Sequence, residues 1–390
     1  MQLKKWNLND QTDPVSQLLA SLVHKQSWLP LVWTEIGSET ENVKQVLSQF
    51  DLKLVELGEN ELGFVLPISA WPTFAARVKK WFGDDQHLLS DLKVLEEVTA
   101  VYWQAGRFRF NLTKCPLVYG ILNVTPDSFY DGGRFNNHSA MVEQIEKMVA
   151  AGADIIEPGG QTTKPGHFVE VEPEEEWRRI VPAIELIQER YPQVAIAVDT
   201  YKLPVMERAL AAGVDIINDV DGFDIPAKRQ LLAKYSNVGL VTMHSSRGHE
   251  YKNLTTGMKA FFEENLAELV AAGIDQERIC LDQGIGYAKV ADGYQDFAMM
   301  NNLGELKEFH RPIMVAISRK GFGQKLFGLP KEKRLGVTLI AETAMYLAGG
   351  RVLRVHDFEE TQQLVKLIDT IKSSYWELPG HHEQKNWVCD

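Results

Sequence analysis

The stretch LVYGILNVTPDSF, residues 117–129, begins as a continuous apolar run and then passes directly into Asn, Thr, Pro, Asp and Ser. Such a run, rich in Val, Ile and Leu, is typical of a strand that is buried on both faces of a parallel sheet. A helical pattern with a glycine stop follows at residues 138–152, and the apolar run ADIIEPGG occupies residues 153–160. These segments predict one parallel β/α/β unit, with polar residues where its first strand ends.

The same alternation of apolar run and helical pattern continues along the chain. Eight strand and helix units over roughly 270 residues match the size of a closed (β/α)8 TIM barrel, which is an α/β fold. The alternative is a doubly wound open sheet. In a barrel of this kind, functional residues lie at the carboxyl ends of the strands. The six further runs are VAIAVDT (194–200), DIINDV (215–220), VGLVTMH (238–244), ICLDQG (279–284), IMVAIS (313–318) and VLRVHD (352–357).

Residues 1–104 differ from this pattern and predict a small α/β domain of their own, followed by the barrel domain at residues 105–390. The alternating segment QAGRFRFNLTKCP, residues 104–116, predicts a short hairpin that closes the amino-terminal mouth of the barrel. The sequence of the first domain contains neither a phosphate loop nor a dinucleotide-binding glycine pattern.

Charge and hydropathy exclude several classes of partner. The net charge of -12 disfavours nonspecific binding to nucleic acid, whose phosphates require a basic surface. No segment is long and apolar enough to span a bilayer, and the amino terminus lacks the apolar region of a signal peptide. We therefore expect a cytoplasmic protein that binds neither nucleic acid nor membrane.

Polar residues at the predicted strand ends indicate a pocket near the barrel axis. Asp199, Asn218 and Asp282 interrupt otherwise apolar runs, and each would cost a few kcal/mol if it were buried unpaired. With Lys320 they could satisfy a flat heterocycle that carries amino, ring N–H and keto groups, because carboxylates accept, lysine donates and an amide does both. A divalent metal held by oxygen ligands is the alternative.

A second group of residues is suited to an anion. Glycine-bearing loops follow the first two strands, DGGRF at 131–135 and GGQTTKPG at 159–166, and the second loop carries hydroxyl and ammonium donors. Arg354 and His356 are two residues apart on the last strand, so their side chains point the same way. Together they predict an anion clamp, with a structural salt bridge of Arg354 as the alternative.

Six separated motifs follow one another along the predicted barrel. They are GILNVTPDSFYDGGRF (120–135), GGQTTKPG (159–166), VDTYKLPVMERALAAGVDIINDV (198–220), CLDQGIG (280–286), SRK (318–320) and RVHD (354–357). In sequence and in order, these motifs resemble those of the dihydropteroate synthases. The resemblance covers about residues 106–375 and leaves the first domain outside it.

The resemblance implies a magnesium-dependent transferase of folate biosynthesis, which is expected to be a homodimer. Such an enzyme condenses 6-hydroxymethyl-7,8-dihydropterin diphosphate with 4-aminobenzoate and releases pyrophosphate and 7,8-dihydropteroate. Charge growing on the departing pyrophosphate would be neutralised by Arg354, His356 and magnesium, and we expect Arg354, His356, Lys320 and Asp199 to be the catalytic residues. The implied binding residues are Asp199, Asn218, Asp282 and Lys320 for the pterin, Asn123 for the magnesium, Thr163, Arg354 and His356 for the diphosphate, and Phe129, Lys164, Pro165 and Ser318 for the aminobenzoate, with Tyr287 nearby.

Several positions depart from the usual pattern of that family. Glu157, Gln161, Thr162 and Lys164 stand where a typical member has Asp, Glu, Ser and Arg, and Gln283, Tyr287 and Ala288 replace Pro, Phe and Gly. The departures predict an unchanged pterin pocket and an altered second-substrate side. Three alternatives stay open: a pterin-binding paralogue that uses a different amine or has little synthase activity, a protein similar to the methyltetrahydrofolate methyltransferases, and a non-catalytic interaction protein.

Overall fold

A computed structural model describes residues 1–8, 14–25, 28–124, 134–161, 170–245, 251–287 and 293–375, with only the backbone given at 15, 16, 18, 19, 24, 25 and 134–137. The chain forms two compact units, one made of Met1–Ala100 with Val365–Asp390 and the other of Val101–Leu364. The predicted division into independent domains after residue 104 stays a prediction. Within the described ranges, no helix has the length and apolar character needed to cross a bilayer.

The first unit contains a four-stranded antiparallel sheet in the order β1-β2-β4-β3. Alternate residues of its central strands face a helix-covered core, where Trp33 of the second strand and Phe64 of the fourth are almost completely buried. This arrangement confirms the predicted small α/β domain. Its elements are β1 (Gln2–Lys5), α1 (Pro14–Lys25), β2 (Trp28–Thr34), α2 (Thr40–Ser48), β3 (Val55–Gly58), β4 (Glu61–Pro67), α3 (Trp71–Trp81) and α4 (Gln86–Thr99).

The second unit begins with a two-stranded hairpin, β5 (Tyr102–Ala105) and β6 (Phe108–Asn111). Its turn requires glycine at Gly106, because φ is +63° there and a Cβ would lie 2.2 Å from Asp215 Oδ1. The indole of Trp103 is fully buried in the barrel core and donates to the carbonyl of Arg278 at 2.9 Å. Both Asp215 and Arg278 lie just before barrel strands, so the hairpin closes the amino-terminal end of the barrel, as predicted.

Eight parallel strands then form a closed barrel, which confirms the predicted (β/α)8 fold and excludes the open sheet. The strands are β7 (Leu117–Asn123), β8 (Ile155–Gly159), β9 (Ala195–Asp199), β10 (Ile216–Asp219), β11 (Gly239–Met243), β12 (Ile279–Asp282), β13 (Ile313–Val315) and β14 (Val352–Val355). The helices are α5 (Arg134–Ala150), α6 (Pro173–Arg190), α7 (Leu203–Ala211), α8 (Pro226–Ala233), α9 (Leu254–Ala271), α10 (Tyr294–Asn301), α11 (Phe322–Phe327), α12 (Leu335–Ala348) and α13 (Phe358–Ser373).

The interior of the barrel changes from apolar to polar along its axis. Buried side chains such as Ile155, Ala197 and Val241 form one core cluster with the hairpin residue Trp103. The last residues of several strands carry charge or an amide instead, as in Asp199. The fold therefore brings polar groups from distant parts of the sequence to one end of the barrel.

Candidate active site

A carboxylate at the carboxyl end of β8 lies at the centre of the polar cluster. The Glu157 side chain accepts four hydrogen bonds. Its Oε1 accepts from Arg354 Nε, at 2.8 Å, and from Arg354 Nη2. Its Oε2 accepts from the Tyr119 hydroxyl, at 2.5 Å, and from Asn218 Nδ2, at 3.1 Å. Glu157 is 1% exposed. Sequence reasoning placed Glu157 at a predicted strand end and noted it as a departure from a family pattern, but gave no role to Glu157 or to Tyr119. The available signal was an acid that directly follows the apolar pair Ile155 and Ile156 in the run ADIIEPGG.

The guanidinium of Arg354 joins two carboxylates from neighbouring strands. Besides the bonds to Glu157, its Nη2 donates to Asp199 Oδ2 at 2.7 Å. Burial lowers the pKa of Arg354, but attraction to Glu157 and Asp199 outweighs it and raises that pKa above the usual value, so the group is always charged. No partner of Nη1 is found in the described part of the chain. The salt bridge foreseen as an alternative to an anion clamp is therefore present, and one nitrogen remains for a ligand.

The carboxylate of Asp199 at the end of β9 has one oxygen without a partner. Its Oδ2 accepts from Arg354, whereas Oδ1 is buried and receives no hydrogen bond from the described residues. Burial raises the pKa of Asp199 to about 7, against the opposing attraction of Arg354. A buried acceptor left unpaired costs free energy. Asp199 Oδ1 is thus suited to accept from the N–H group of a ligand.

Asp282 from β12 and Lys320 from the loop after β13 bring a carboxyl group and an ammonium group, which attract each other, to this end of the barrel. Asp282 Oδ1 accepts from the Gly284 amide at 2.9 Å, and burial raises the pKa of Asp282 while Lys320 opposes the shift. The Lys320 ammonium donates to the Ile285 carbonyl. Burial lowers the pKa of Lys320 to about 8, again opposed by Asp282. The ammonium therefore stays mostly protonated near pH 7. The fold thus brings all four residues predicted for the pterin, namely Asp199, Asn218, Asp282 and Lys320, to the same end of the barrel.

An apolar wall borders these polar groups. The ring of Tyr287 packs with Val220 and Met243 in one buried cluster, with Tyr201 beside it. The ammonium of Lys320 lies 5.3 Å from the centre of the Tyr287 ring, within the range of a cation–π contact. Tyr287, which was expected near the aminobenzoate, is placed against a residue of the expected pterin pocket.

His356 and Ser318 connect the loops that follow β14 and β13. The Ser318 hydroxyl lies 3.1 Å from His356 Nδ1 and accepts from the His356 amide at 3.2 Å. Burial, followed by the nearby charge of Arg354, lowers the pKa of His356 to about 4. The imidazole is therefore neutral near pH 7 and acts as a hydrogen-bonding group. The expected contact of His356 with the diphosphate stays a prediction.

The remaining predicted residues lie at the strand ends or outside the described ranges. Asn123 ends β7, has an exposed side chain and is in register with Gly159 of β8. Among the described residues, no group of three or more His, Cys, Asp or Glu side chains could hold a metal ion. Phe129, Thr163, Lys164 and Pro165 lie outside the described residues, as do the departing positions Thr162 and Ala288.

A buried lysine that sequence reasoning missed, Lys202, contacts Gln161, Val171 and Glu176. The Lys202 ammonium is 2.7 Å from Glu176 Oε2 and 2.5 Å from Gln161 Oε1, and it also donates to the Val171 carbonyl. Gln161 Oε1 accepts a further bond from the Val171 amide at 2.9 Å. Lys202 therefore joins Gln161, which follows β8, to Val171, which precedes α6. A lysine after the run VAIAVDT gave no signal, because exposed lysines are common in loops.

The sequence and the barrel both match known proteins. Residues 119–356 match the family described as pterin binding enzyme. The chain is 38% identical over 268 residues to dihydropteroate synthase from Clostridium beijerinckii, covering 68% of this chain and 98% of the relative.

Two solved structures of dihydropteroate synthase from Xanthomonas albilineans have the same barrel. The structure with 4-aminobenzoic acid has a TM-score of 0.66 at 31% identity, over 70% of this chain and 99% of that one. The complex with 7,8-dihydropteroate has a TM-score of 0.63 at 30% identity, over 70% and 99% of the two chains. With the site geometry, these matches show that the chain belongs to the pterin binding enzymes, within the dihydropteroate synthase family.

Proposed function

We propose that this protein joins 6-hydroxymethyl-7,8-dihydropterin diphosphate to 4-aminobenzoate, releasing pyrophosphate and forming 7,8-dihydropteroate for folate biosynthesis. The observation that carries the proposal is the buried Oδ1 of Asp199, which has no partner among the described residues and lies beside a charged Arg354. Asp199 Oδ1 can accept from an N–H group of a ligand, and the guanidinium of Arg354 can bind an anion. A pterin diphosphate carries N–H groups at its pterin end and an anion at its diphosphate end. The family membership and the relatives' ligands support the same reading.

At the pterin end, each side chain has a chemically distinct task. The carboxylates of Asp199 and Asp282 accept from the amino and ring N–H groups, and the Lys320 ammonium donates to a carbonyl or ring nitrogen. Asn218 presents its amide oxygen, since its Nδ2 already donates to Glu157. Tyr287 and its apolar neighbours cover a face of the ring.

At the diphosphate end, the pyrophosphate leaving group lies at the carboxyl end of β14, the last barrel strand. Arg354 stabilises the negative charge that grows on the departing pyrophosphate, and His356 offers an N–H donor as a neutral imidazole. The exposed amide oxygen of Asn123 suits Mg²⁺, which binds through few protein oxygens together with phosphate and water. When bound, Mg²⁺ supplies charge neutralisation at the diphosphate.

The second substrate enters as a neutral nucleophile. An aromatic amine is weakly basic and unprotonated near pH 7, so the reaction needs no strong general base. A second candidate function is transfer to an amine other than 4-aminobenzoate. It is favoured by Lys164, which stands where a typical member of the family has Arg. The planar guanidinium of Arg binds a carboxylate through two hydrogen bonds, whereas the ammonium of Lys acts as a point charge.

The test is product formation by Arg354→Lys with a surface arginine as control. Arg354→Lys keeps the charge but cannot hold Glu157 and Asp199 together, so we expect at least a tenfold loss of 7,8-dihydropteroate formation. The control Arg178→Lys changes an arginine that is 74% exposed and pairs only with Glu175 in the described chain, and it should retain activity. Equal losses in both variants would contradict the proposed role of Arg354.

We also propose that the protein acts in the cytoplasm as a homodimer. Exposed apolar side chains on α11 and α12 support a contact between copies, with Phe327 61% and Ile340 72% exposed. Sedimentation velocity should give a dimer for the native protein and a monomer for Ile340→Glu. An unchanged dimer in Ile340→Glu would exclude this helix face as the contact.

A further inference from the structure

The hydrogen-bonding capacity of Glu157 is completely used within the protein. A carboxylate offers about four lone-pair sites, and Glu157 receives four donors, two at each oxygen. Because the side chain is also 1% exposed, it has neither the free acceptor nor the surface needed to contact a substrate. Its role must be exerted through the residues that it holds.

The two oxygens of Glu157 hold residues that serve opposite ends of the proposed substrate. Oε2 accepts from Asn218, a residue of the pterin pocket, and Oε1 accepts from the fork of Arg354, which faces the diphosphate. The carboxylate is anchored from inside the barrel by the hydroxyl of Tyr119, which is fully buried. Burial, then the charge of Glu157, keeps the pKa of Tyr119 well above its usual value, so the phenol remains a donor.

Glu157 also determines which atoms of its partners face the ligand. A carboxylate only accepts, so Asn218 must turn its NH2 group toward Glu157 and present its oxygen to the pocket. Arg354 donates through Nε to Glu157 and through Nη2 to Glu157 and Asp199. Its Nη1 has no partner among the described residues and can donate to an anion. Asn218 therefore recognises a ligand donor, and Arg354 recognises an anion at a fixed distance from it.

We propose that Glu157 is a positioning residue that fixes the pterin-binding amide of Asn218 and the diphosphate-binding guanidinium of Arg354 relative to each other. The inference rests on the proposed function and adds a residue that touches neither substrate. Both the charge and the length of the side chain matter. Aspartate withdraws the carboxylate by about 1.5 Å, one carbon–carbon bond, so it cannot reach all three partners. Glutamine replaces one acceptor oxygen by an NH2 group, which must then face a donor.

The test measures the two ends of the substrate separately. Isothermal titration gives Kd for 6-hydroxymethylpterin, which lacks phosphate, and for inorganic pyrophosphate with Mg²⁺. We expect Glu157→Gln to weaken both probes by about 10- to 100-fold, as is usual when a supporting partner of a functional group is removed. Tyr119→Phe should weaken both by a smaller factor, because it removes one of four bonds to Glu157. Glu268→Gln, a change at a surface carboxylate paired with Arg229, is the matched control and should bind both probes normally.

The outcomes separate this inference from the proposed function. If the native protein binds neither probe, the proposed function fails and the inference fails with it. If the native protein binds both, a loss confined to one probe in Glu157→Gln would overturn the inference, since Glu157 would then serve one end only. Normal binding of both probes by a folded Glu157→Gln would overturn it as well. If Glu157→Gln does not fold, Tyr119→Phe decides: weaker binding of both probes supports the inference, and any other result overturns it.

Discussion

Arg354 Nη2 lies 2.7 Å from Asp199 Oδ2, while the other oxygen of Asp199 is buried and has no partner among the described residues. The two residues come from β14 and β9, which are separated in the barrel by β7 and β8. An ion pair with one unsatisfied acceptor is costly unless a ligand completes it. This relationship defines the place and the polarity of the proposed pterin pocket.

The isosteric change Asp199→Asn should impair pterin binding. It removes the negative charge that faces Arg354 and turns one acceptor into a donor, so the ligand N–H loses its partner. We expect Kd for 6-hydroxymethylpterin to rise about 10- to 100-fold by isothermal titration, corresponding to about 1.4 to 2.7 kcal/mol. Asp224→Asn, at a half-exposed carboxylate paired with Lys228, is the control. Unchanged pterin binding in Asp199→Asn would place the pterin elsewhere.

Pterin binding should depend on pH through Asp199. Its pKa in the folded, unbound protein is about 7, raised by burial and by the charges of Glu157, Glu176 and Asp219, and lowered by Arg354. As pH falls below 7, the carboxylate takes up a proton and the acceptor is lost, so binding should weaken by up to tenfold per pH unit. Titrations at pH 5.5, 6.5 and 7.5 measure the effect. An Asp199→Asn protein that keeps the same acid dependence would show that another group is responsible.

The stability of the barrel unit should depend on Glu342 of α12. Glu342 is fully buried, Thr361 donates to its Oε2 at 3.3 Å, and Oε1 has no partner among the described residues. Burial, reinforced by Asp357, raises the pKa of Glu342 from 4.5 to about 8. Because the folded state holds this proton more tightly than the unfolded state, stability is full below pH 4.5 and decreases as pH rises to about 8.

Replacing the Glu342 carboxyl by an amide should remove this loss. Glu342→Gln is expected to be more stable than the native protein at pH 8 by about 1–3 kcal/mol and similar at pH 5. Thermal denaturation at the two pH values is the measurement, with Glu359→Gln on the exposed surface of α13 as control. A stability difference that is equal at pH 5 and pH 8 would exclude titration of Glu342 as its source.

Removal of the Lys202 ammonium should destabilise the site through Glu176. Lys202→Met leaves the carboxylate of Glu176, which is 2% exposed, without its cation, at an expected cost of about 3–5 kcal/mol. The double variant with Glu176→Gln should recover most of that loss, since no buried charge remains unpaired. Denaturation of the two single variants and the double variant tests the coupling. Additive losses in the double variant would show that the two residues act independently.

The fold could be predicted because each barrel strand has its own local signal. Runs such as VAIAVDT and ICLDQG are apolar on both faces and end in Asp199 and Asp282, so they mark both the strand and its functional end. The barrel topology then places those ends together without any knowledge of contacts.

The support of the site could not be predicted in the same way. Tyr119 lies within an apolar run, where a tyrosine is expected to be an ordinary residue of the hydrophobic core. Its role as a hydrogen-bond donor to Glu157 is visible only in the folded structure. The bond between Glu157 and Arg354 joins residues 197 positions apart, and only the closed barrel brings them together. The low pKa of His356 likewise follows from burial and from Arg354, which no local sequence pattern encodes.

The most direct test of the proposed reaction is its stoichiometry. The purified protein is mixed with 6-hydroxymethyl-7,8-dihydropterin diphosphate, 4-aminobenzoate and Mg²⁺, and pyrophosphate and 7,8-dihydropteroate are measured in the same sample, the latter by mass. We predict that the two products form in equal amounts and that neither forms without 4-aminobenzoate. Pyrophosphate released without dihydropteroate, or no release at all, would contradict the account.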